Sequence, residues 1–145
     1  MMIYTEHTKK ALKLCFEAHK NQIDKSGMPY VFHPFHLAEQ MTDEVSTVVA
    51  LLHDVVEDTD YTFDDLLSMG FPTQSIDALK LLTHDDGTPY MEYVERLSSN
   101  PTARAVKLAD LRHNSDFSRL ETVDERARKR REKYLKAIEL LEAIK

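Results

Sequence analysis

The segment at residues 48–58, Val-Val-Ala-Leu-Leu-His-Asp-Val-Val-Glu-Asp, limits the possible folds more than any other part of the chain. Its apolar residues predict a buried helix, yet it carries an adjacent histidine and aspartate, His53 and Asp54. Burying a carboxylate beside an imidazole is costly unless a positive charge compensates for it, and a metal ion commonly supplies that charge. The segment therefore predicts a buried helix that contributes to a metal site.

The rest of the sequence contains residues that start and end helices and shows no alternating strand pattern. The whole chain of 145 residues has only 3 glycines and 5 prolines, which also favours helices. We predict an all-α fold, a compact multi-helix arrangement that forms a single domain over residues 1–145. The third helix is predicted to run without a break from Thr42 or Asp43 to about Glu57. The other predicted helices cover approximately residues 5–21, 34–41, 62–70, 73–83, 90–97, 100–114 and 123–145.

Charge and hydropathy exclude several classes of function. The net charge is −6, which argues against broad nucleic-acid binding because a phosphate backbone requires a positive face. No apolar run approaches the roughly 18 residues of a membrane span, and residues 1–5 lack the basic start and apolar core of a signal peptide, so we expect no membrane association and a cytoplasmic location. The single cysteine, Cys15, is expected to be a buried core thiol in a reducing compartment.

Basic residues crowd one stretch near the C-terminus, in contrast to the acidic balance of the whole chain. The simplest interpretation is the solvated face of a long terminal helix that pairs with neighbouring glutamates. A phosphate- or partner-binding edge is the alternative. The residues concerned are Arg126, Arg128, Lys129, Arg130, Arg131 and Lys133.

On a helical wheel, Glu57 and Asp58 share a flank with His53 and Asp54, beside an apolar stripe. A metal on that flank would leave these two carboxylates free to handle the protons of a bound water. Two ligands on one helix leave a site incomplete. His33, just before Pro34, and Asp110, at the border of the apolar face of a later helix, are candidates for the other ligands. Each has an ordinary alternative, since a lone histidine often packs in the core and a lone aspartate often lies on the surface.

Four stretches together carry a more specific pattern than a His-Asp pair. With these stretches, the chain resembles the HD-domain metal-dependent phosphohydrolases, and in particular the hydrolase domain of bacterial alarmone synthetase/hydrolases and their small stand-alone relatives. The match covers about residues 8–119 and gives no counterpart to the synthetase domain. The stretches are Ala18-His-Lys-Asn-Gln22, Ser26-Gly-Met-Pro-Tyr-Val-Phe-His-Pro34, Ala50-Leu-Leu-His-Asp-Val-Val-Glu-Asp-Thr59, and Val106-Lys-Leu-Ala-Asp110 followed by His113-Asn114.

The resemblance implies the removal of the 3′-pyrophosphate from a guanosine polyphosphate such as ppGpp, a small phosphorylated nucleotide. It implies that Glu57 and Asp58 are catalytic, acting on the attacking water and the released phosphate. It also implies a divalent metal, Mn²⁺, with four ligands: His33, His53, Asp54 and Asp110.

Substrate contacts are expected from Lys25 and Ser26 in the loop, from Arg104 and Lys107 toward outer phosphates, and from Asn114 toward ribose or phosphate. For Arg104, a surface ion pair is the equally ordinary alternative.

The loop before Ser26 departs from the family pattern. Asp24 and Lys25 stand where the long alarmone enzymes carry an arginine that packs on guanine, so recognition of the base stays open. Two alternatives to alarmone hydrolysis therefore remain. One is an HD phosphohydrolase for another phosphoester, such as a nucleoside monophosphate or NADPH, and the other is a nucleotide-binding module without catalysis. The sequence leaves the oligomeric state open.

Overall fold

The computed structural model describes residues 1–144 and confirms the all-α prediction, since no β-strand occurs in that range. A single turn of 3-10 helix at Phe117–Arg119 and an isolated bridge between Ile23 and Pro29 complete the regular structure. The α-helices are α1 (Glu6–His19), α2 (Phe32–Glu39), α3 (Glu44–Leu52), α4 (Val55–Asp58), α5 (Phe63–Ser68), α6 (Thr73–Leu82), α7 (Tyr90–Leu97), α8 (Pro101–Asn114) and α9 (Glu125–Glu142).

Most helix ends lie where capping residues predict them. Thr5 and Thr62 each form a reciprocal capping box at the start of α1 and α5. Asp43 and Asn100 accept a backbone N–H at the start of α3 and α8. Gly70 follows α5 with a φ of 88°, a left-handed conformation that favours glycine. These local signals confirm the predicted helix order.

Helix α3 forms the centre of the fold. Every residue from Ser46 to Leu52 is buried, and the helix packs against α1, α2, α6 and α8. Helix α8 in turn packs against α2 and α9. Cys15 of α1 is buried in the core, as predicted, and burial raises the pKa of its thiol to about 12. The C-terminal end of α3 thus meets α2 and α8 inside the protein.

The prediction of one continuous helix to Glu57 is wrong. Helix α3 ends at Leu52, and Asp54 adopts φ −106° and ψ 0° before α4 begins at Val55. The imidazole Nδ1 of His53 lies 2.7 Å from the carbonyl oxygen of Ala50, to which it donates. In an uninterrupted helix that carbonyl would accept the N–H of Asp54, so the histidine competes with the helical ladder. The break turns His53 and Asp54 toward one point.

No helix within residues 1–144 combines the length and the apolar character needed to cross a lipid bilayer. The cytoplasmic location stays a prediction.

Candidate active site

Three separate parts of the fold bring the four predicted ligands together. His33 comes from α2, His53 and Asp54 from the break after α3, and Asp110 from α8. The Nε2 of His33 lies 2.8 Å from Asp110 Oδ1, and the Nε2 of His53 lies 3.0 Å from Asp54 Oδ2 and 3.6 Å from Asp110 Oδ1. We call these four residues the ligand cluster.

The donor atoms of the ligand cluster fit a metal ion. One ligand atom each from His33, His53 and Asp54 lie within 4.8 Å of one another. Because Nδ1 of His53 donates to a backbone carbonyl, Nε2 is the nitrogen that would bind a metal, which takes the place of its proton. That Nε2 is buried and makes no hydrogen bond with the described residues, although Asp54 and Asp110 are close. A buried nitrogen without a hydrogen-bond partner beside two carboxylates is what a divalent cation would satisfy.

The charges of the cluster are set by mutual contact. Burial would raise the pKa of Asp110, but the ammonium of Lys107 at 3.1 Å and the two histidines hold it well below its usual range. Burial also opposes ionisation of Asp54, yet the adjacent His53 lowers its pKa. His53 has a raised pKa because the two carboxylates outweigh its desolvation. Both aspartates are therefore anionic, as metal ligands must be.

A second layer of side chains orients the ligand cluster. The Nδ1 of His113 lies 2.6 Å from the Nδ1 of His33, and the hydroxyl of Tyr30 donates to Asp54 Oδ2. Burial and the nearby His33 lower the pKa of His113 to about 4, so its ring is neutral near pH 7. We assigned no role to Tyr30 or His113 from the sequence. The signal was available, because both lie in the stretches that carry the family resemblance.

Glu57 and Asp58 lie next to the ligand cluster, on α4. Both remain accessible to solvent, but partial desolvation and the charge of Asp54 raise the pKa of each carboxyl. The backbone N–H of His84 donates to Glu57 Oε1 at 2.6 Å, which fixes the orientation of this carboxylate. Glu57 lines a cavity of about 170 Å³ together with His53, Asp54, Lys107 and Asp110, whereas Asp58 lies outside this lining.

A larger cavity of about 320 Å³ lies on the His33 side of the cluster. Its walls come from the loop at residues 23–30, the end of α8 with the 3-10 helix, and α9. Of the predicted substrate-binding residues, Lys25, Ser26 and Asn114 line this cavity, and Lys107 lines the smaller one. Arg104 lines neither, so the structure does not bring it to the cluster. The ligand cluster thus lies between two cavities of different size.

The basic stretch of α9 was expected to be either a solvated helix face or a binding edge, and some of its residues lie at the cavities beside the cluster. Arg130 lines the larger cavity with Tyr134, while Arg131 lies over the ring of Phe117, 4.5 Å from its centroid. Lys133 lies over the ring of Tyr90 at the same distance. Part of this stretch therefore forms a wall beside the ligand cluster.

Sequence comparison relates the chain to alarmone enzymes, although no family model matches it. It is 38% identical over 114 residues to the mouse guanosine-3′,5′-bis(diphosphate) 3′-pyrophosphohydrolase MESH1, covering 68% of this chain and 63% of MESH1. It is 31% identical over 135 residues to the bifunctional (p)ppGpp synthase/hydrolase RelA of Mycobacterium tuberculosis, covering 85% of this chain and 18% of RelA. It is 32% identical over 136 residues to the probable GTP pyrophosphokinase of Mycobacterium leprae, covering 85% of this chain.

The chain spans 17% of the length of the Mycobacterium leprae relative and less than two thirds of MESH1. The single-domain organisation therefore stays a prediction.

Structural comparison supports the same fold. A solved structure described as a metazoan ortholog of SpoT that hydrolyzes ppGpp superposes with a TM-score of 0.80. The alignment covers 99% of this chain and 90% of that one, at 24% sequence identity. The all-helical fold is thus shared with that protein.

Proposed function

Since this chain is a homologue of the MESH1 and RelA/SpoT-type alarmone enzymes, we propose that it is a metal-dependent phosphohydrolase of their HD-domain kind. Its proposed reaction is the removal of pyrophosphate from the 3′ position of ppGpp or a closely related nucleotide. Water adds to the phosphorus next to the 3′ oxygen, and the bond between that phosphorus and the ribose oxygen breaks. The products are pyrophosphate and a nucleotide with a free 3′ hydroxyl.

The ligand cluster carries this proposal, because a buried His53 Nε2 without a hydrogen bond lies between two anionic aspartates. His33, His53, Asp54 and Asp110 would hold the ion. We propose Mn²⁺, because two carboxylates beside two imidazoles suit it, although the same set accepts other first-row metals. When bound, the ion polarises phosphoryl oxygens and lowers the pKa of water.

We assign proton transfer to Glu57. Its raised pKa makes it a better base than an ordinary glutamate, and the His84 N–H fixes its position at the wall of the smaller cavity. Asp58, beyond that wall, would assist through its charge and its contacts with the released phosphate. Lys107 keeps its positive charge, since Asp110 and two tyrosines raise its pKa despite its burial.

The remaining nucleotide contacts are proposed for the larger cavity, through Lys25, Ser26 and Asn114. Arg104 has less support than these, because it lines neither cavity.

Product identification tests the proposal most directly. The purified protein, with its metal content measured, would be incubated with ppGpp, nucleoside monophosphates and NADPH, and the released pyrophosphate and phosphate quantified. Glu57→Gln should lower kcat by roughly 10²- to 10⁴-fold, which is typical for losing a general base. Glu92→Gln, the same substitution on the exposed face of α7, should leave the rate unchanged.

Each alternative gives its own result. Release of phosphate alone, with ppGpp intact, would show an HD phosphohydrolase for another substrate, an alternative that Asp24 in the loop keeps open. Binding of metal and nucleotide without any turnover would indicate a non-catalytic module. If Asp54→Ala retains metal and full activity, the assignment of the ligand cluster is wrong.

A further inference from the structure

The side chain of Asp24 accepts four hydrogen bonds, although the proposed reaction gives this residue no role. Its Oδ1 accepts hydrogen bonds from the N–H of Ser26 at 2.9 Å, the hydroxyl of Ser26 at 2.6 Å and the N–H of Met28 at 3.0 Å. Its backbone carbonyl also accepts the N–H of Gly27. This single carboxylate therefore fixes the loop that carries Lys25 and Ser26 into the larger cavity.

The second oxygen of the same carboxylate reaches a distant part of the chain. Asp24 Oδ2 accepts a hydrogen bond from Arg119 Nη2 at 3.2 Å, and Arg119 Nη1 donates to the carbonyl of His113 at 2.9 Å. The Asp24 side chain is 12% exposed and that of Arg119 is 26% exposed, so the pair is shielded from water on most sides. Asp24 and Arg119 thus tie the loop to the end of α8 across one wall of the cavity.

Two further cations line the larger cavity beside this tie. Lys25 and Arg130 both line the larger cavity, and neither makes an ion pair with a carboxylate among residues 1–144. Burial lowers the pKa of Lys25, the positive charges of Arg130 and Lys133 lower it further, and the carboxylate of Asp124 offsets part of this effect. Converging cations that repel one another suit an anionic ligand, and the tie holds the loop in place against that repulsion.

We propose that Asp24 is a positioning residue and Arg119 a specificity-determining residue of the larger cavity. Asp24 holds the guanidinium of Arg119 and the Lys25–Ser26 loop in position, and both then contact the part of the nucleotide that does not react. The inference rests on the proposed function. A guanidinium bonded at both terminal nitrogens is already ordered before the ligand arrives, which lowers the entropic cost of binding.

Because the pair lines the larger cavity and Glu57 lines the smaller one, loss of the pair should weaken binding rather than slow the chemistry. Asp24→Ala and Arg119→Ala should each raise KM about tenfold, with kcat within about twofold of the parent and metal content unchanged. Asp24→Asn keeps an oxygen for the loop but loses the charge that faces Arg119, so its effect should be smaller, about threefold.

The double variant separates a coupled pair from two independent residues. If Asp24 acts through Arg119, the double alanine variant should be about as impaired as either single variant, whereas independent effects would multiply to about 100-fold. Asp43→Ala is the matched control. Its carboxylate accepts the N–H and hydroxyl of Ser46 just as Asp24 accepts those of Ser26, but it lies at the other end of α3 from the cluster.

Binding measured without turnover separates this inference from the proposed activity. Calorimetric titration of ppGpp into Glu57→Gln protein, with and without the Asp24 and Arg119 changes, gives Kd directly. If the wild-type protein binds ppGpp but does not hydrolyse it, the proposed activity is refuted, and the same Kd comparison still tests the inference. An unchanged Kd in both alanine variants, multiplicative effects, a fall in kcat at constant KM, or no binding by the parent would overturn the inference.

Discussion

At Glu57, the direction of the pKa shift determines how activity should depend on pH. Desolvation and the neighbouring Asp54 raise the pKa of this carboxyl above 4.5, and a general base works only when it is deprotonated. Activity should therefore be lost as the pH falls through the raised pKa, with kcat decreasing about tenfold per pH unit below it.

The pH–rate profile of wild-type and Glu57→Gln protein, recorded with saturating metal, checks this expectation. The residual activity of Glu57→Gln should lack that acidic limb. An identical limb in both proteins would assign the titration to another group.

The contacts of His113 give it a specific role beside the proposed metal ligand His33. When Nε2 of His33 binds a metal, its Nδ1 must carry the hydrogen, and His113 Nδ1 lies 2.6 Å away as the acceptor. His113→Phe removes that acceptor and should weaken Mn²⁺ binding by about 10- to 100-fold, the usual range for such outer partners.

Competition titration of Mn²⁺ against a chelator measures this change without reference to activity. His36→Phe is the control, because His36 packs against the His113 ring at a tilt of 33° but is not hydrogen-bonded to a ligand in the described structure. Equal metal affinity in wild-type and His113→Phe protein would show that the contact is incidental.

At the level of helices and loops, the sequence predicts what local chemistry controls. Capping residues such as Thr5, Asp43 and Asn100 signal helix starts because they bond to backbone groups within a few residues. The break after Leu52 was missed, since periodicity continues through the segment and the competing bond from His53 depends on the rotamer of one side chain.

The same distinction applies to the site. The ligands His33, His53, Asp54 and Asp110 could be proposed from residue type and family resemblance. The link between Asp24 and Arg119 joins residues 95 positions apart, and no periodic pattern relates them. Whether Arg104 faces the cluster likewise depended on how α8 packs, which the sequence does not specify.

The loop that carries Lys25 and the loop between α6 and α7 each contain a glycine, Gly27 and Gly87, and these offer a matched pair of substitutions. Gly27 has a φ of 81° with no atom within 4 Å of an added Cβ, so Gly27→Ala should cost only backbone strain, about 1 kcal/mol of unfolding free energy. Gly87 lacks a positive φ, and an added Cβ would meet Asp85 at an ordinary 3.8 Å. Gly87→Ala should therefore be neutral or stabilise by up to about 1 kcal/mol. Urea unfolding of both variants checks the pair, and equal effects would contradict the assigned backbone conformations.

Across the whole molecule, cations outnumber carboxylates at the larger cavity and carboxylates outnumber cations at the smaller one, although each cavity contains one ion pair. The chain carries a net charge of −6, yet three cations, one each from the loop, the 3-10 helix and α9, line the larger cavity beside two aspartates. The anionic carboxylates Asp54, Glu57 and Asp110 line the smaller cavity. A polyanionic nucleotide can therefore be held by protein cations at one end, while a metal offsets the acidic cluster at the other.

The ligand cluster also connects the fold, because its members come from α2, the α3–α4 break and α8, which do not come together in an unfolded chain. A metal that binds only the native arrangement stabilises it by RT ln(1 + [metal]/Kd), which is about 2.7 kcal/mol at 100 times Kd. For a chain of this size, that corresponds to a rise in Tm of about 8 °C over chelator-treated protein.

Each further tenfold increase in Mn²⁺ should add about 1.4 kcal/mol, so Tm should keep rising with concentration. Calorimetric scans across a Mn²⁺ series measure this dependence. Asp54→Ala should flatten it, because one of the four ligands is gone, and a variant that keeps the wild-type slope would place the stabilising ion elsewhere on the protein.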